Sequence, residues 1–212
     1  GAVLFRQDGV YNDWSKKVLS KVENKADYLI IHNYFRRKPN PNNVSYQEML
    51  TSLNQVQQDV IRVGNMVATY TNKPSDYFPI AMTEFNSKTG EREISMANAI
   101  FITQALAEQI KNGFAASILW SFQNGLDNYG GDHGMTARNS PVLNDHYPRP
   151  VFYIYHFFQK FMGDRMIWSY SSDSTVKSYV STFSSDTRGI VLVNNSSVSK
   201  TVNLDFGSDT IP

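Results

Sequence analysis

Apolar residues fall into three short continuous runs, separated by stretches with helical spacing. Residues 27–34 (Asp-Tyr-Leu-Ile-Ile-His-Asn-Tyr), 78–84 (Phe-Pro-Ile-Ala-Met-Thr-Glu) and 115–120 (Ala-Ala-Ser-Ile-Leu-Trp) read as strands buried on both faces. Before the first run, Trp14, Val18, Leu19 and Val22 recur at helical intervals in residues 12–25, with Asn12 or Asp13 available as a cap. Ser45-Tyr46-Gln47-Glu48 has capping-box form and opens a long helix whose stripe is Met49, Leu53, Val56, Val60, Val63 and Val67, ending near 72–74. Residues 93–112 form a further helix through Ile94, Ala97, Phe101, Ala105 and Ile110, with Gly113 as its stop. Pro150 and Gly163 bound a last helix at 149–162. Pro39, Pro41 and three Asn argue against regular structure in the loop 35–44.

Strands alternating with amphipathic helices imply parallel pairing with right-handed crossovers. Beyond residue 164 the pattern changes: 175–184, 189–194 and 201–206 are β-rich and read as the start of an antiparallel sheet. The expected organisation is therefore α/β: residues 1–164 as part of a (β/α)8 barrel and 165–212 as part of a β-sandwich. Three parallel strands are too few to close a barrel, and the later strands fall short of the roughly seven of a usual sandwich. Both ends thus look cut, and the chain reads as an internal piece of a larger polypeptide. Further chain, from the same protein or another copy, is expected along the 27–34 strand.

Composition narrows the classes. An apolar share of 41% suffices for a core and excludes disorder as the dominant state. A net charge of +1, with no dense Lys/Arg stripe, gives no drive toward nucleic acid. No apolar run is long enough to span a bilayer, and residues 1–8 do not read as a signal peptide. Without cysteine there is no disulfide, thiolate metal site or thiol nucleophile. The high aromatic fraction, 13%, suits faces that stack on sugars and suits a large core equally well.

The candidate chemistry lies at the strand ends, where reacting groups gather in parallel α/β architectures. Glu84 is the distinctive residue, because Glu23, Glu48, Glu91, Glu93 and Glu108 all fall on helices or in the loop before one. A carboxylate ending an apolar strand faces the mouth of the sheet or carries a large desolvation cost; the plainer reading is an ion-pairing or capping glutamate. Tyr34 can hydrogen-bond Glu84 and hold it ionised, and His32 can donate to a hydroxyl or a carboxylate or simply close its strand. Trp120 offers an indole face to a sugar ring or to the core. No His or carboxylate spacing suggests zinc, and no glycine-rich turn suggests a phosphate cradle; neither metal nor cofactor is expected.

The ordered set of His32-Asn33-Tyr34, Thr83-Glu84-Phe85-Asn86 and Trp120 at successive strand ends, followed by a β domain, resembles the second half of a clan A glycoside hydrolase. Gly131-Asp132-His133-Gly134-Met135, Arg149-Pro150-Val151-Phe152-Tyr153 and Gly163-Asp164-Arg165 resemble arabinofuranosidase- and agarase-like members from polysaccharide-degrading bacteria. The likeness covers about residues 10–206. It implies that the three strands are six, seven and eight of a (β/α)8 barrel, with residues 1–9 the tail of the strand-five region. It also implies a retaining glycosidase acting on plant or algal polysaccharide, located outside the cell or at its surface. Glu84 matches the nucleophile, with His32, Asn33, Tyr34, Asn86 and Trp120 as substrate-binding residues. The chain departs from the pattern in one respect: no Asn-Glu pair precedes His32, so the acid/base glutamate belongs to a missing N-terminal half, a required partner alongside the polysaccharide or oligosaccharide substrate. Asp132 can face the cleft or form a turn. Arg36-Arg37-Lys38, if turned inward, favours an anionic polysaccharide; a solvated loop is the plainer reading. The competing function is a non-catalytic carbohydrate-binding protein on the same barrel, and a third is an unrelated α/β enzyme.

Overall fold

The computed structural model describes residues 1–22, 25–35, 38–184 and 187–207. The chain divides into two compact units, residues 1–160 and 161–212. In the first, four parallel strands pair in the order β1 (Ala2–Val3), β2 (Leu29–Phe35), β3 (Ile80–Ser87) and β4 (Ala116–Leu119). The three expected strands are present, and a fourth comes from the first residues of the chain. Its two residues pair with Leu29 and Ile30, so this part of the β2 edge, where other polypeptide was expected, is occupied by the chain itself.

Helix α1 (Trp14–Val22) precedes β2, and α2 (Tyr46–Ser52) and α3 (Asn54–Tyr70) follow it. The capping box forms as the sequence predicts: the Glu48 N–H donates to Ser45 Oγ, and the Ser45 N–H donates to Glu48 Oε2 at 2.9 Å. The single long helix expected from 45 to 72–74 is instead two, broken at Leu53 and ending at Tyr70. The Ser52 hydroxyl donates to the Met49 carbonyl at 2.6 Å, a local bond that competes with helix continuation, and the last turn tightens. The expected stripe is otherwise kept: Met49, Val56, Val63 and Val67 are buried, joined by Met66 and, unexpectedly, Asp59. The loop after β2 contains a short 3-10 turn at Pro41–Asn43, opened by the Asn40 side chain, where no regular structure was expected. Arg36 and Arg37 lie outside the described residues.

Helix α4 (Met96–Lys111) starts three residues later than its periodicity suggests, because residues 90–94 form a 3-10 turn that buries Glu93. It ends at Asn112, and Gly113 takes a left-handed φ of 75°, as a helix stop should. Helix α4 supplies the deepest core: Phe101 and Ile102 are fully buried, and Phe101 meets Phe35 edge-on at 5.4 Å between centroids. Burying side chains of this size contributes about 1.5–3 kcal/mol each. Helix α5 (Pro150–Phe161) begins at the expected proline.

The second unit holds an antiparallel sheet of β5 (Arg165–Ile167), β6 (Val176–Thr182) and β7 (Arg188–Asn194). Strand β5 was not foreseen. Gly163 does not adopt a helix-stopping left-handed φ; a Cβ there would collide with the Thr182 backbone, so close approach to β6 is what calls for glycine. Residues 201–206 alternate but make no strand: Val202 and Leu204 are exposed, and no pairing involves them among the described residues. No helix among the described residues is long and apolar enough to cross a membrane.

Candidate functional site

Alternation along β2 sets the geometry. Leu29, Ile31, Asn33 and Phe35 are buried, and Ile30, His32 and Tyr34 are half-buried on the other face. The buried set meets the helices: Phe35 touches Phe101, and the Asn33 amide donates to Asp59 of α3 at 2.9 Å. The polar side chains that this strand presents on its less buried face are therefore His32 and Tyr34.

The register to β3 slips by one residue. Ile31 pairs with Met82, His32 with Glu84, and Thr83 is the extra residue. A bulge re-aims the side chains that follow it. Here it puts Thr83 and Glu84 side by side on the face of His32 and Tyr34. The Tyr34 hydroxyl donates to Glu84 Oε2 at 2.9 Å; His32 Nδ1 lies 3.5 Å from the same oxygen, and His32 Nε2 is 3.0 Å from Thr83 Oγ1. Tyr34, His32 and Glu84 thus form one cluster at the C-terminal end of the parallel sheet. Glu84 stays partly exposed, with 29% of its side-chain surface open, so an external molecule can reach it.

The remaining predicted residues take different positions. Asn86, two residues beyond Glu84 and paired with Tyr34, is buried, and its amide donates to the Trp120 carbonyl at 2.6 Å and the His133 carbonyl at 3.1 Å. Asn33 points to α3. Both asparagines are buried, and their amides donate to protein groups, Asn33 to Asp59 and Asn86 to the Trp120 and His133 carbonyls. Trp120 follows Leu119, the partner of Phe85, at the same end of the sheet; the residue is 44% exposed and its peptide to Ser121 is cis. Asp132 is a turn former and ion-pair partner: it is buried, bonded to Arg149 at 2.6 Å, and accepts the Gly134 N–H. Lys38, the described member of the basic loop, pairs with Glu48 at 2.8 Å.

Two residues given no role by sequence reasoning sit directly behind the cluster. The His133 ring packs on the Tyr34 ring at 5.1 Å between centroids, and its Nε2 lies 3.0 Å from the Ser87 carbonyl. Glu93, almost fully buried, brings Oε2 within 3.3 Å of the same nitrogen. The glycines flanking Asp132-His133 signal a tight loop, but nothing in the pattern points to Glu93.

A hollow of about 570 Å³ adjoins His32, walled by Val3, Phe5, Arg6, Tyr11 and Trp14. A larger one, about 810 Å³, belongs wholly to the second unit, around Trp168 and Tyr170, and contains none of the cluster residues. The first is the one relevant to Glu84, because it shares His32 with the cluster. No group of three or more potential metal ligands occurs among the described residues.

No protein-family model matches the sequence, and no curated protein matches it. Solved structures do match. The chain is similar to an α-L-arabinofuranosidase from Thermotoga maritima crystallised with arabinose, with TM-score 0.64 and 14% identity over 91% of this chain and 42% of that one. A second arabinofuranosidase gives the same values. A bifunctional glucanase–xylanase from a metagenome library aligns with TM-score 0.57 and 15% identity over 86% of this chain and 36% of that one. The chain spans well under half the length of each, and at these identities the likeness is one of fold: an α/β architecture shared with part of these glycoside hydrolases.

Proposed function

We propose that these 212 residues are the C-terminal part of a (β/α)8-barrel glycoside hydrolase of the retaining type, acting on plant or algal polysaccharide outside the cell. In this reading β1 to β4 are strands five to eight, and Glu84 is the nucleophile. The observation that carries it is the Tyr34–Glu84 hydrogen bond of 2.9 Å on the half-open face of the sheet. The phenol donates to Oε2 and so holds the Glu84 carboxylate in one orientation on that face, as a nucleophile requires. The enzymes of similar fold are named for action on arabinofuranosides, glucan and xylan, which supports a plant cell-wall sugar as substrate.

The chemistry runs in two steps. A Glu84 oxygen attacks the anomeric carbon as the bond to the leaving oxygen breaks, and a carboxylic acid outside this chain gives that oxygen its proton. Water, deprotonated by the same carboxylate, then displaces Glu84 and restores the free carboxylate. Tyr34 and His32 orient Oε2 throughout. Trp120 stacks on the sugar, and Asn33 and Asn86 hold the strand ends.

The test uses the intact protein that carries this chain, with 4-nitrophenyl α-L-arabinofuranoside and β-D-xylopyranoside as probes. Glu84→Gln should lose several orders of magnitude in turnover while xylo- or arabino-oligosaccharide binding persists. Azide should restore activity to Glu84→Gly by entering the vacated position and attacking the anomeric carbon, which expels 4-nitrophenolate and gives a glycosyl azide. Wild-type turnover by Glu84→Gln would reject the nucleophile assignment. An inactive wild type that still binds oligosaccharide would establish the carbohydrate-binding alternative.

A further inference from the structure

The Glu93–His133 pair lies behind Tyr34 and is left unused by the reaction above. Glu93 Oε1 accepts the Thr89 and Gly90 N–H groups at 2.8 and 3.2 Å, with Lys88 Nζ 3.9 Å away and itself held by Asp127. Glu93 Oε2, in contrast, is buried and has no hydrogen-bond partner; its nearest cationic or ring nitrogen is His133 Nε2 at 3.3 Å. A desolvated carboxylate oxygen is costly to keep in this state, so its placement has to be compensated by what it holds. Gly131 makes the room: a Cβ there would lie 2.6 Å from that oxygen.

What it holds is His133. The Nε2 atom is in hydrogen-bond contact with Ser87 O at 3.0 Å, and Glu93 Oε2 stands 3.3 Å from it, so the two oxygens close on that edge of the ring. The main chain of His133 is anchored as well, its carbonyl accepting the Asn86 amide of β3 and the Ser121 N–H that follows β4. One face of this immobilised ring packs on Tyr34, whose hydroxyl reaches Glu84. A catalytic carboxylate is only as well placed as the groups around it are locked.

We propose that Glu93 and His133 are positioning residues: the buried carboxylate fixes the imidazole, and the imidazole fixes the Tyr34 ring so that its hydroxyl points at Glu84. This rests on the reading of Glu84 as nucleophile, but the geometric part stands independently of it. Neither residue touches substrate.

Two measurements on the intact protein test this. Crystal structures of His133→Leu and Glu93→Gln should show Tyr34 rotated away and its hydrogen bond to Glu84 broken, with the sheet unchanged. Glu93→Gln keeps the acceptor for the two N–H groups and serves if His133→Leu fails to fold. In kinetics on the aryl glycosides, each positioning variant and Tyr34→Phe should lower kcat about tenfold, with KM within about twofold. Combining a positioning variant with Tyr34→Phe should cost no more than the worse single change, because both act through one hydroxyl. Multiplicative losses, near a hundredfold, would overturn the proposal, as would an undisturbed Tyr34–Glu84 bond in both variant structures. If Glu84→Gln retains turnover, the nucleophile reading fails, and the structures alone decide whether the pair positions Tyr34.

Discussion

Arg6→Ala is the perturbation that most directly probes how the back of the site is held. Arg6 Nη1 meets both oxygens of Asp59, at 2.9 and 3.1 Å, and Asp59 is wholly buried. Asn33 donates to the same carboxylate from β2, and Arg62 stands 3.8 Å away. Breaking a buried pair by removing one partner costs about 3–5 kcal/mol. Arg6 is itself 24% exposed, and Asn33 and Arg62 remain, so we expect about 2 kcal/mol at pH 7. For a chain of this size that is a fall in Tm of about 4–8 °C. The pH dependence gives the sharper check. Burial raises the Asp59 pKa, opposed by the charge and hydrogen bond of Arg6, by Asn33 and by Arg62. An acid raised on folding carries a penalty when ionised, and that penalty is relieved as pH falls through the folded value. Deleting Arg6 raises the folded value further. The loss should therefore be largest at neutral pH and shrink toward pH 4. Thermal unfolding by circular dichroism gives the magnitude, and hydrogen exchange at the Ile31 and Asn33 amides keeps the readout in the first unit. An equal loss at both pH values, or a larger one at pH 4, would refute the assignment of the effect to a buried carboxylate.

Three further outcomes follow from the local geometry. Gly90→Ala should destabilise by about 2 kcal/mol or more, since Gly90 has a φ of 60° and a Cβ would strike Asn42; a denaturation midpoint unchanged within error would contradict this. Ser45→Ala should cost about 1 kcal/mol by removing the acceptor for the Glu48 N–H, read as faster hydrogen exchange in the first turn of α2. Lys88→Met should act through Asp127: burial works to raise that pKa, but it is lowered overall by the Lys88 hydrogen bond, the Tyr129 and Gly131 N–H groups and the Lys88 charge. The pair's contribution, under about 1 kcal/mol at this partly exposed site, is present above the unfolded value near pH 3.9 and lost as pH falls through the lower folded value. Wild type and variant should therefore converge in acid, and a gap that widens there would be the contrary result.

Periodicity located β2, β3, β4, α1 and α5 because each is bounded by residues whose local chemistry agrees with the fold: Pro150 at a helix start, or an apolar run between polar turns. It failed where a side chain intervenes in the backbone. The long helix divides because Ser52 back-bonds to Met49. Helix α4 starts late because Glu93 turns inward to accept two N–H groups of its own 3-10 turn. In the β-rich tail, alternation without a pairing edge produced no strand at 201–206. A two-residue periodicity is a necessary condition for a half-buried strand, and hydrogen-bonding partners supply the rest.

The site was legible to the same extent and for the same reason. His32, Tyr34 and Glu84 end apolar runs, and parallel pairing brings such ends together whatever the intervening helices contain. Nothing in the composition of β3, however, announces the extra residue at Thr83. With strict alternation and no bulge, Met82 opposite Ile31 would put Thr83 opposite His32 and turn Glu84 toward the helices, beside Asn33. The bulge reverses that outcome, and its side-chain expression is the 3.0 Å contact between Thr83 Oγ1 and His32 Nε2. Sequence therefore identifies which residues end the strands, while register decides which of them share a face. Asn33 and Asn86 differ in what removes them from the open face: alternation turns Asn33, between His32 and Tyr34, toward α3, whereas Asn86, opposite Tyr34, is covered by the loop after β4. His133 arrives from that loop, where no period operates, and is recognisable only once the Tyr34 ring is seen against it.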